Sequence, residues 1–212
     1  MHIFENIDDA ILRLTNHSKN FHFPTRQNLI TSNDIIKFSV QQNIFRALGL
    51  DNHKPSDVYR NWATANFENL HTQLTSCQNE NEFDLIIKTH TDSFLNSWWT
   101  TTSKKLVYGP ASKIVNLLIK AIQESNQYKV DSIIRFQHVP WDSYTLRPLR
   151  KIINELADTN YYINIPTTAA MSYVNSTELY DVFEKAIFKL YDMLPGQPPT
   201  IYFDYFAWND NQ

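Results

Sequence analysis

Two side chains in this 212-residue sequence have the type and placement to do chemistry, Lys113 and Asp142. A lysine amine, once neutral, is a nucleophile that forms a Schiff base with an electrophilic carbon. A fixed carboxylate stabilises positive charge that develops beside it. Gly109-Pro110 reads as a turn running into a helix, because proline is favoured at the first helical position, where its missing N–H costs nothing. Lys113 then falls in that helix's first turn. It lies off an apolar stripe of Ile114, Leu117, Leu118, Ala121 and Ile122, and Gln123-Glu124-Ser125-Asn126 mark the helix's end. Downstream, Val139-Pro140-Trp141 is an extended entry, and Asp142 is the N-cap of a second helix with apolar positions Leu146, Leu149, Ile152, Ile153 and Leu156.

Each residue also has an ordinary reading. A lysine in the first turn of an amphipathic helix is a solvated side chain, slightly disfavoured there by the macrodipole. An aspartate N-cap contributes about 1 kcal/mol to its helix with no catalytic part. Local charge sets the pair apart. Residues 100–151 carry nine Lys and Arg against Glu124, Asp131 and Asp142, a net +6 in a chain of net −3. The remainder sums to −9, so a polyanion should meet one face and not the other, and a uniformly basic nucleic-acid binder is excluded. Lys104, Lys105, Arg147 and Arg150 are the candidate phosphate contacts.

The order of turn, lysine, helix, return segment, Pro140-Trp141-Asp142-Ser143 and second helix resembles the helix-hairpin-helix DNA glycosylases over about residues 98–156. The resemblance implies an all-α fold of two helical lobes, with a helix-hairpin-helix-like element at the cleft and both the hairpin and the catalytic loop within 98–156. It implies that Lys113 attacks the anomeric carbon of a sugar and that Asp142 stabilises the sugar cation left as a base departs. Family hairpins usually read Gly-x-Gly-x-Lys; this chain has Gly109-Pro110-Ala111-Ser112-Lys113, with Gly109 as the one hairpin glycine toward DNA. The 29 positions from Lys113 to Asp142 are more similar to the archaeal 8-oxoguanine glycosylases. The partner implied is duplex DNA with a damaged or modified base, and no cofactor is implied.

The rest of the chain must position these residues. At 42% hydrophobic, its length allows one helical domain, 1–212, built as two lobes. Helices are expected from Glu5 to Leu14, from Thr31-Ser32-Asn33-Asp34 through Ile35, Phe38, Ile44, Phe45 and Leu48 to Gly49, from Pro55 through Leu74, after Asn79, and after Ser176 or Thr177 as far as Pro195-Gly196. Tyr161–Pro166 is the one short extended piece. Three glycines argue against a Gly-rich nucleotide loop or an all-β fold. The lone Cys77 excludes an internal disulfide and a four-cysteine cluster, and fits a reducing cytoplasm. No apolar run is long enough to span a bilayer, and the seven histidines show no metal-ligand spacing, so no membrane and no metal are expected.

A flipped base needs flat side chains around it. Trp141 beside Asp142, His138 four residues before it, and Trp208 in the aromatic tail Ile201–Trp208 are the candidates, with Trp98-Trp99 competing. His138 has the alternative of a hydrogen-bonded structural histidine, and the tail that of a lid docked over the core. Two other function classes stand beside the glycosylase: a non-catalytic nucleic-acid-binding helical module and a protein-interaction domain. A monomer is expected.

Overall fold

The computed structural model describes residues 3–49 and 54–209. Among the described residues ten α-helices follow one another in this order: α1 (Ile7–Asn20), α2 (Ser32–Ser39), α3 (Gln42–Leu48), α4 (Pro55–Ser76), α5 (Glu80–Thr102), α6 (Tyr108–Glu124), α7 (Ser143–Leu146), α8 (Ile153–Leu156), α9 (Thr177–Asp192) and α10 (Tyr202–Asn209). Among the described residues there is no strand, only an isolated bridge between Arg26 and Ser125. The fold is all-α. It divides into two compact units, Phe23–Phe136 and the remainder, Met1–His22 with Gln137–Gln212. The boundary at Phe136 cuts through the 98–156 stretch.

In the Phe23–Phe136 unit, α6 packs on α5 and α2, while α4 packs on α5, α2 and α3. α4 opens with proline at its start, and α5 with Asn79, whose side chain accepts from the Glu82 N–H. The single helix expected from Asp34 to Leu48 is two helices. It breaks at Val40 and Gln41, both extended, after Ser39 turns its hydroxyl back to the Ile36 carbonyl. Gly49, with φ of 40°, ends α3.

The turn expected at Gly109-Pro110 lies upstream instead. Ser103 takes the left-handed conformation at the end of α5, residues 103–107 make the connection, and α6 is already helical at Tyr108. Pro110 is then the third helical residue, where its missing N–H still falls among the first four that have no helical partner. α6 is buried on nearly every side, with Leu117 and Lys120 the half-exposed exceptions.

The other unit has shorter elements. The helix expected after Asp142 is broken into α7, a 3-10 turn at Arg147–Leu149, and α8, because Pro148 has no N–H for the carbonyl four residues back. The five expected apolar positions are still all buried. α10 packs on α7 and α1, and Phe4, Phe203 and Phe206 form one ring cluster with Arg13 over two of the rings. The aromatic tail is thus a docked helix. Tyr161–Pro166 is not a strand. Asn154 brackets Ile163 by bonds to its N–H and its carbonyl, and Arg150 Nε donates to the Ile165 carbonyl.

His90 on α5 is 1% exposed, and its Nε2 hydrogen-bonds Gln73 Oε1 of α4 at 2.9 Å. Burial holds the imidazole below its ordinary pKa of 6.5. The folded chain therefore resists a proton that the unfolded chain accepts, and stability present above about pH 6.5 is lost as the pH falls toward the lowered folded value. Urea midpoints for wild type and His90→Gln should diverge least near pH 6 and below, with the variant showing the flatter pH dependence. Parallel curves would remove His90 as the cause.

Candidate functional site

Lys113 is the sixth residue of α6, in its second turn rather than its first. Its side chain is not solvated: the residue is 6% exposed, between Ser112 at 1% and Ile114 at 0%. Gly109, expected as the glycine of a hairpin turn facing DNA, is instead buried in the first turn of α6, and its carbonyl accepts from the Ser112 hydroxyl at 3.0 Å. The ordinary reading of Lys113 as a surface residue is overturned by this burial. An amine in that environment is removed from bulk water, so its interactions are with protein groups or with whatever ligand reaches it.

Asp142 belongs to the other unit and is also 6% exposed. Its backbone is extended, and Oδ1 accepts from the N–H groups of Tyr144 at 2.7 Å and Thr145 at 3.2 Å. Thr145 returns the bond, its hydroxyl accepting from the Asp142 N–H at 2.8 Å. This is a complete capping box. The carboxylate is locked in orientation by two backbone donors at a helix N-terminus, where negative charge is favoured. The N-cap expectation holds, and Thr145 is the partner that sequence reasoning missed. Its signal was present in the Asp-x-x-Thr spacing.

The candidate aromatic residues divide by burial. Trp141 is 1% exposed, packed on Phe183 and Phe203, with Nε1 donating to Glu184 Oε1 at 2.6 Å. His138 is 3% exposed, and its Nδ1 shares a 2.9 Å hydrogen bond with the Tyr180 hydroxyl. Trp208 is half-buried and its ring lies 4.4 Å from that of Tyr144, the residue whose N–H binds Asp142. Tyr144 and Glu184 were not singled out in the sequence, since a tyrosine in a short helix and a glutamate in an amphipathic one carry no local signal. Trp98 is buried and Trp99 is 57% exposed.

Of the cationic candidates, Lys104 and Lys105 are exposed on the connection between α5 and α6. Arg147 is half-buried, and Arg150 is engaged with the Ile165 carbonyl at 2.7 Å. Elsewhere in the +6 stretch, Lys129 pairs with Asp131 and Lys151 with Glu5. Among the described residues, no three His, Cys, Asp or Glu side chains gather where a metal ion could sit. No protein-family model, no curated protein and no solved structure matches the chain.

The cap makes the role of Asp142 separable from its charge. Asp142→Asn should melt close to wild type because Asn caps about as well, whereas Asp142→Ala should lose roughly 1 kcal/mol or more. Equal melting temperatures for the two variants would show that the capping box contributes nothing to stability.

Proposed function

We propose that the chain is a DNA glycosylase with lyase activity, which removes a damaged or modified base from duplex DNA. What supports this most is the burial of Lys113. A primary amine withdrawn from water in a helix is a candidate nucleophile, where a solvated one would be an ordinary surface group. Asp142 supports it second, as a carboxylate held by two backbone donors.

The proposed step begins with the neutral Lys113 amine. Its nitrogen lone pair forms a bond to the sugar's anomeric carbon as the bond from that carbon to the base breaks, and the bond's electron pair leaves with the base. The proton lost by the amine balances the proton gained by the base. The bond from that carbon to the ring oxygen then breaks as the nitrogen lone pair forms the C=N bond, and the oxygen takes a proton from solvent, which leaves the protonated Schiff base. Asp142 stabilises the cationic character of the sugar while the base departs. The chemistry needs neither metal nor cofactor. Lys104, Lys105, Arg147 and Arg150 are proposed as phosphate contacts, and half-buried Trp208 as the ring that meets the extruded base; Trp141 and His138, 1% and 3% exposed and hydrogen-bonded to Glu184 and Tyr180, are not offered to it. Among the described residues, no helix is long and apolar enough to cross a membrane; a monomer acting on DNA in the cytoplasm is the proposed setting.

Duplex oligonucleotides carrying one altered base each, read for base release and for borohydride trapping, test this reading. Lys113→Gln should abolish the trapped adduct, and Asp142→Asn should slow base release by about 100-fold or more while keeping its fold. If both variants fold, bind DNA and excise at the wild-type rate, Lys113 and Asp142 do not carry the chemistry; a wild type that binds DNA but releases no base from any of the duplexes makes the chain a non-catalytic nucleic-acid module instead.

A further inference from the structure

An open groove of about 570 Å³ lies in the Phe23–Phe136 unit, apart from Lys113. Three helices supply a cation each: Lys37 from α2, Arg46 from α3 and Arg60 from α4, all exposed. Phe38 and Phe45 line it with them, as does the Gln42 amide. Among the described lining residues there is no Asp or Glu. Two carboxylates lie near its cations: Asp57, 3.9 Å from Arg60 and itself exposed, and Asp34, which interacts with Lys37 while its Oδ2 accepts from the Thr31 N–H and hydroxyl; both are too solvated to neutralise the groove. Within a chain of net −3, this is a concave concentration of positive charge drawn from sequence positions that no charge count along the chain brings together.

We propose that this groove grips the sugar–phosphate backbone of a DNA strand, a second phosphate-binding surface beyond the 100–151 segment. The inference rests on the DNA reading above for the identity of the polyanion. A backbone presents charged phosphates separated by apolar deoxyribose, and a groove with cations from three helices and phenyl rings among them matches that alternation. A free nucleotide is the poorer fit. Terminal phosphates are usually cradled by converging amides of a glycine-rich turn, and none of the chain's three glycines lines the groove. Interactions of this kind position a strand without reading its bases.

The test is the salt dependence of binding by a fluorescein-labelled duplex to wild type and to the Lys37→Gln/Arg46→Gln/Arg60→Gln triple variant. All three side chains are exposed, and unchanged thermal melting checks that the fold is retained. Affinity should fall at least about tenfold for every sequence, and the slope of log affinity against log salt should shrink by about two to three, one for each phosphate that is no longer neutralised. An unchanged slope overturns the proposal. So does a triple variant that loses pyrophosphate binding by calorimetry yet binds the duplex as before, which would make the groove a free-phosphate site. Borohydride trapping of wild type on altered-base duplexes reports the catalytic reading separately. A reduced slope without trapping would keep the groove and reject the excision chemistry, and trapping with an unchanged slope would do the reverse.

Discussion

A helix buried on almost all sides is the constraint on which the Phe23–Phe136 unit depends. α6 carries Ser112, Lys113, Asn116, Gln123 and Glu124 inside the protein, and buried polar groups are costly unless they are satisfied there. The C-terminal end shows how the fold meets that demand. The Gln123 amide binds both the carbonyl and the N–H of Val130, the Glu124 carboxylate pairs with Arg26, and the Glu124 carbonyl accepts from the Arg26 N–H at 2.7 Å. Ser125 closes the helix by donating to the Ile122 carbonyl and accepting from the Tyr128 N–H. The segments on either side of the long helices are thus held by the polar side chains of α6, and α5 and α2 supply its apolar cover.

The other unit solves a different problem with different means. Its helices near the candidate aspartate are a single turn long, too short to be stable by themselves. Side chain to backbone bonds replace the missing helical ones: Asp142 and Thr145 at α7, Asn154 on Ile163, Arg150 on Ile165, and Thr200 on the Gln137 carbonyl. Each contributes on the order of 1 kcal/mol. The aromatic cluster of Phe4, Trp141, Phe183, Phe203 and Phe206 supplies the apolar contact beneath them. An irregular backbone held this way keeps a carboxylate in one orientation without a long helix behind it.

Local rules made the helices legible. Thr31, Asn79, Asp142 and Ser176 each cap the helix expected from their type, and Pro55 starts α4. What failed were boundaries and burial. The gap between α2 and α3 follows from Val40 being buried in an extended conformation, a tertiary preference that overrides a continuous helical stripe. α1 runs on to Asn20, six residues past the expected end at Leu14. The burial of Lys113 was hidden by the periodicity itself: a stripe marks one apolar face, and a helix covered on its polar side too looks the same in sequence. The groove was invisible for a related reason, since Lys37, Arg46 and Arg60 sit in separate segments, and only the packing of α2 and α3 on α4 gathers them.

Burial also changes which ordinary explanation Lys113 must be weighed against. Exposure would have made it a solvated side chain with no cost and no meaning. At 6% exposure, the amine in α6 has exchanged bulk water for interactions inside the protein. Asp142 differs, because the cap itself is met about as well by asparagine. In both residues, the group that the proposed excision would use, an amine and a carboxylate, is held inside the protein rather than left to solvent.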